Sequence, residues 1–116
     1  MSKVIKLSLC LLLFVVVWKN SSANMRKVAL GDSKNMSNKM ISEAMRIMKE
    51  AVKTNHPKQY IADFFRKNYS DEGMYTWICE EYSGEPTIPD GSDKYILLSV
   101  RSIHKVTSYI LYAVKY

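Results

Sequence analysis

The sequence predicts an α+β fold, with two consecutive helices lying on one side of a small β-sheet. Three observations lead there. Apolar residues recur at three- and four-residue steps from Ser37 to Val52 and again after Pro57, the period of helices with one buried stripe. Met74 to Glu81 alternates instead, which is the period of a strand. The last third holds two apolar runs, Tyr95 to Val100 and Val106 to Tyr116.

The chain begins with a different kind of segment. Lys3 and Lys6 precede an apolar run from Leu7 to Trp18, and Ser21 and Ala23 follow it. That order is a secretory signal peptide's, cleaved after small residues. The run is shorter than the roughly 20 residues of a membrane-spanning helix, so an uncleaved apolar anchor is the second reading. Residues 1–23 are therefore read as a signal helix and residues 24–116 as one domain, secreted or held in the secretory pathway. Membrane contact is expected only if residues 7–18 stay uncleaved.

Loss of that segment removes Lys3, Lys6 and Lys19, and the formal net charge falls from +6 to +3. The remaining cations alternate with acids along the first helix, a solvated face. No basic stripe forms, so no nucleic-acid partner is expected. Two N-glycosylation sequons remain, at Asn35 and Asn68, each with a serine two residues on, and the secretory route would open both to use.

Residues 24–35 read as a short strand at Val28 to Leu30 and a loop from Gly31-Asp32. Met40, Ile41, Ala44, Met45, Met48, Ala51 and Val52 mark the buried stripe of the first helix, with Asn35 or Ser37 able to cap it. Methionines can line adaptable grooves, but this spacing assigns them to the core. Pro57 suits the first turn of the second helix, with Asn55 or His56 near its cap. Tyr60, Ile61, Phe64 and Phe65 face inward, and Asp71-Glu72-Gly73 ends the helical half. In the following strand Tyr75, Trp77 and Cys79 share one face, and Thr76, Ile78 and Glu80 the other. The stretch YSGEPTIPDGSD is turn-rich. The final strand is apolar on both faces and needs cover on both. The helix pair supplies one cover, and a second copy of the chain is expected to supply the other.

Cys79 is the one residue that raises the question of catalysis. Cys10 leaves with the signal, so no internal disulfide is available. A nucleophilic cysteine needs a base and a positive setting. His56 and His104 lie in turns without partner carboxylates, and Glu80 and Glu81 would raise the thiol pKa. Cys79 is therefore read as core filling, against the contrasting reading of a cysteine-dependent enzyme. No metal-ligand spacing and no phosphate loop is present, so no catalytic role, cofactor or metal is expected.

Asn35-Met36-Ser37 before one helix, Ile61-Ala62 in the next, and Thr76-Trp77 ahead of Cys79 form an ordered set. In this order the chain resembles the small dimeric dynein light chains, from about Asn35 to Cys79 and more loosely to Tyr116. The resemblance implies an antiparallel sheet and a homodimer joined across sheet faces by an exchanged edge strand. It also implies a groove that takes an extended partner peptide as a further strand. The partner would be a protein or peptide, in the family a dynein intermediate chain. The setting would be the dynein complex on microtubules in the cytoplasm.

The exchanged strand would correspond to Gly84 to Asp90. Thr87 and Ile88 would supply backbone hydrogen bonds, and Ile96, Leu98 and Val100 would line the groove. Tyr75, Trp77 and Cys79 would form the core strand next to the interface. Several positions depart from the family. Ile78 stands where the family has a histidine that makes dimerisation pH-sensitive, so no such switch is implied. Pro86 and Pro89 fall within the exchanged segment, where proline cannot donate to a ladder. Arg101 to Thr107 is longer than the family's turn. These departures motivate an alternative, a secreted effector or structural protein that keeps the fold without the inherited binding.

Overall fold

A computed structural model describes residues 26–115, so the signal-like segment lies outside the described residues. The elements run β1 (Lys27–Lys34), α1 (Asn38–Ala51), α2 (Pro57–Asn68), β2 (Tyr75–Tyr82), β3 (Ser92–Arg101) and β4 (Val106–Lys115). The four strands form one antiparallel sheet in the order β1-β3-β4-β2, which leaves β1 and β2 as its edges.

Ser37 caps α1, its hydroxyl accepting the Met40 N–H at 3.1 Å. Asn35 does different work. It takes a left-handed φ of 56°, a region asparagine tolerates better than most residues, and its amide donates to the Asp93 carbonyl at 2.8 Å. The buried face of α1 is Met40, Ala44, Ile47, Met48 and Ala51, with Ile41, Met45 and Val52 half-buried at its margins. The helix is thus rotated slightly toward Ile47 relative to the predicted stripe. Helix α2 starts on Pro57, with His56 at the cap position making no side-chain bond. It buries Ile61, Ala62 and Phe65.

Both helices pack on one face of the sheet. Trp77 and Cys79 from β2, Ile96, Leu98 and Val100 from β3, and Tyr109, Leu111 and Ala113 from β4 join the helix residues in a single core. Trp77 is fully buried. Its ring lies 4.9 Å from Phe65, and its indole N–H donates to the Tyr69 carbonyl at 2.9 Å. A buried tryptophan needs such a partner, and the turn after α2 provides it.

Strand β1 is longer than predicted and runs through Gly31 and Asp32. The register shifts between Leu30 and Ser33, so a bulge absorbs the residues that read as a loop. A Cβ at Gly31 would lie 3.0 Å from the Leu97 Cβ, which is why glycine fits there. Strand β3 also begins earlier than its apolar run, at Ser92, with a shift between Ser92 and Lys94. Its Asp93 carboxylate accepts the Tyr75 hydroxyl at 2.8 Å. The β3–β4 turn is tight. Arg101 pairs with Val106, and the Ser102 N–H donates to the Lys105 carbonyl at 2.8 Å. Gly84 to Asp90 contains no strand.

Candidate functional site

Among the described residues, β2 is an edge strand paired on one side only, with β4. Arg66 Nε donates to the Trp77 carbonyl at 2.9 Å. Arg66 belongs to α2 and not to β4, so that carbonyl points off the edge of the sheet. In an antiparallel strand the N–H and C=O of one residue point the same way, and the direction alternates along the chain. Thr76, Ile78, Glu80 and Tyr82 therefore bond to β4, while Trp77, Cys79 and Glu81 present backbone groups outward. The Tyr75 N–H, also outward, closes on the Ser70 carbonyl at 3.0 Å.

A cleft of about 570 Å³ runs beside this edge. Its lining comes from Asn55, His56, Pro57, Lys58, Gln59, Ala62 and Arg66 at the start and body of α2, and from Ile78, Cys79 and Glu81 on β2. The walls mix an apolar floor with the charged ends of Lys58, Arg66 and Glu81. Backbone donors and acceptors at one wall and side chains at the other are what an added strand requires.

Cys79 lies at the floor, 8% exposed. Burial pushes its thiol pKa up to about 12. The Lys58 charge works against that shift, and Glu80 and Glu81 add to it. His56 lines the same cleft, yet a thiol so raised carries almost no thiolate at neutral pH, and the thiolate is the nucleophile. Among the described residues no group of three or more His, Cys, Asp or Glu side chains could hold a metal ion.

The sheet face away from the helices is the second feature. Tyr95 and Ile78 flank Tyr112 in register, and Leu97 and Glu80 flank Ile110. Ile110 and Tyr112 are 3% and 5% exposed but stand outside the helix-packed core. Among the described residues, neighbours on the same face surround them and no second layer covers them. The Tyr112 hydroxyl donates to Glu80 Oε1 at 3.2 Å. This burial and the adjacent carboxylate raise the phenol pKa above its ordinary value.

The predicted site residues fall in three places. Thr87 and Ile88 are exposed on the loop between β2 and β3. Ile96, Leu98 and Val100 occupy core positions, and Val100 also reaches the wall of a small cleft beside Arg26. The alternation of β3 turns them toward the helices, where they are buried, and presents Tyr95, Leu97 and Ser99 on the other face. Tyr75, Trp77 and Cys79 share the helix-facing side of β2. The sequon asparagines are both exposed with engaged amides, Asn35 to the Asp93 carbonyl and Asn68 to the Phe64 carbonyl, each at 2.8 Å. Lys58, Gln59, Arg66 and Glu81 are site residues that no sequence pattern singled out. They form no motif, and only the edge position of β2 brings them together.

No family model and no curated protein matches the sequence.

Proposed function

We propose that the chain is a non-enzymatic protein-interaction module of the dynein-light-chain type, which takes an extended partner segment as an added strand. The observation that carries this reading is the outward-facing edge of β2 at Cys79 and Glu81, running beside the cleft under α2. Main-chain hydrogen bonds to that edge supply affinity, and Lys58, Gln59 and Ile78 sort the side chains of the incoming segment. A second copy of the chain covers the face bearing Leu97, Ile110 and Tyr112. By the resemblance, the partner is a peptide such as that of a dynein intermediate chain, in microtubule-based work.

The loop from Gly84 to Asp90 favours a second reading. Pro86 and Pro89 interrupt the segment that the family exchanges between subunits, and this segment forms no strand here. A secreted protein that keeps the fold and has a rebuilt surface fits that loop.

Peptide display against the immobilised chain separates the two. The module reading expects enrichment of extended peptides whose binding is lost in Glu81→Pro. That substitution removes one outward N–H and spares the ladder to β4. Gln59→Trp, which fills the cleft mouth, should weaken the same peptides. Enrichment of no peptide, or peptides indifferent to both variants, would leave the rebuilt-surface reading standing.

A further inference from the structure

The β3–β4 turn carries a surface unrelated to the cleft. Ile103 sits within this four-residue turn with 76% of its surface exposed, and Val106, just after it, is 55% exposed. A single exposed aliphatic residue needs no explanation. Two on one tight turn ringed by cations do. Lys27 pairs in register with Arg101, and Arg101 with Val106. Arg26 and Lys105 line a cleft of about 220 Å³ together with the hydroxyl-bearing Ser102, Thr107 and Tyr109. The Arg26 guanidinium donates to the Val52 carbonyl beside Lys53.

Arg26, Lys27, Lys53, Arg101 and Lys105 thus gather at one end of the molecule. Among the described residues the ion pairs are Arg46–Glu50 and Arg66–Asp63, which use none of these five. The nearest acid by register is Glu81, opposite Tyr109. Asp71, Glu72, Asp90 and Asp93 lie at the far end, around the starts of β2 and β3, while Glu50, paired with Arg46, and Glu85, just past β2, lie toward this one.

We propose that this hairpin tip docks on an anionic phospholipid surface. Ile103 and Val106 enter the boundary between headgroups and acyl chains, and the cleft between Arg26 and Lys105 receives a lipid phosphate. The two parts of the surface call for different surroundings, and a bilayer supplies both. Each Lys or Arg held near an anionic membrane strengthens binding about five-fold, and apolar side chains gain by entering the boundary layer. An acidic protein would satisfy the cations but would need a preformed pocket for an aliphatic residue protruding beyond them. This contact is separate from any made by residues 7–18.

The test is sedimentation of the full chain with vesicles of phosphatidylcholine alone and with about one third phosphatidylserine. The readout is the ratio of anionic to neutral binding, which cancels any contribution of residues 7–18 common to both. Arg101→Gln with Lys105→Gln should lower that ratio about 25-fold. Ile103→Ser with Val106→Thr should weaken binding to the anionic vesicles several-fold. Lys34→Gln with Lys115→Gln, an equal loss of charge at the opposite end, should leave the ratio within about two-fold, since exposed charges beyond a Debye length are screened. A wild-type ratio near one would overturn the proposal. So would an equal loss from the two charge pairs, or full release of the chain by soluble poly-glutamate, which would indicate an acidic protein partner.

Discussion

The two faces of the sheet are built from the same kinds of residue and meet different surroundings. Leu98 and Leu97 are neighbours in sequence. The first is fully buried beneath the helices, and the second lies half-exposed on the face that no helix among the described residues covers. Ile110 is as hidden as many core residues, yet among the described residues only side chains of its own sheet surround it. Low exposure therefore does not identify a core. What matters is whether a second layer supplies the shielding, because a face shielded only laterally still gains from being covered.

The largest effect should come from the helix-covered face. Trp77→Ala removes the ring packed at a tilt against Phe65 and leaves the Tyr69 carbonyl without its donor, and should lower stability by about 3–5 kcal/mol in urea denaturation. The leucine pair sharpens the contrast. Leu98→Ala should cost about 2–5 kcal/mol, whereas Leu97→Ala in dilute protein should cost less than about 1.5 kcal/mol, because less of its surface is buried. Equal losses from the two leucines would erase the distinction between the faces.

Smaller effects probe the margins of the covered side. Ser37→Ala should cost about 1 kcal/mol through loss of the cap on α1. Cys79 adds a pH signature. Its thiol pKa rises from 9.0 to about 12 on folding, so both states are protonated below about pH 9 and the group has no effect there. Between about pH 9 and 12 the unfolded chain ionises first, and stability falls as pH rises. By about pH 10 the wild type should have lost about 1 kcal/mol relative to Cys79→Val. Residue-resolved mass spectrometry should also find Cys79 alkylated far more slowly at neutral pH in the folded chain than in the unfolded one.

The helices were legible because each buries one stripe. Even so, the α1 stripe omitted Ile47, since a stripe read from spacing alone is uncertain by a fraction of a turn. Strand β2 was legible in its alternation and β4 in its apolar run. The second half of β1 and the start of β3 were hidden by Gly31-Asp32 and Ser92-Asp93-Lys94, residues that bulges carry within a ladder. The core placement of Ile96, Leu98 and Val100 was hidden for another reason. Period-two spacing places residues on a common face without saying which face a helix will cover. The cleft beside β2 was illegible for a related reason, since its residues meet only through the order of strands. That order makes β2 an edge, and no local pattern encodes it.

The most direct test of the account is the mass of the chain in solution by light scattering over a range of concentrations, beside Ile78→Asp, which places a charge on the uncovered face. The account predicts twice the mass of a single chain for the wild type and one chain mass for the variant. A wild-type chain that stays single at every concentration would contradict it.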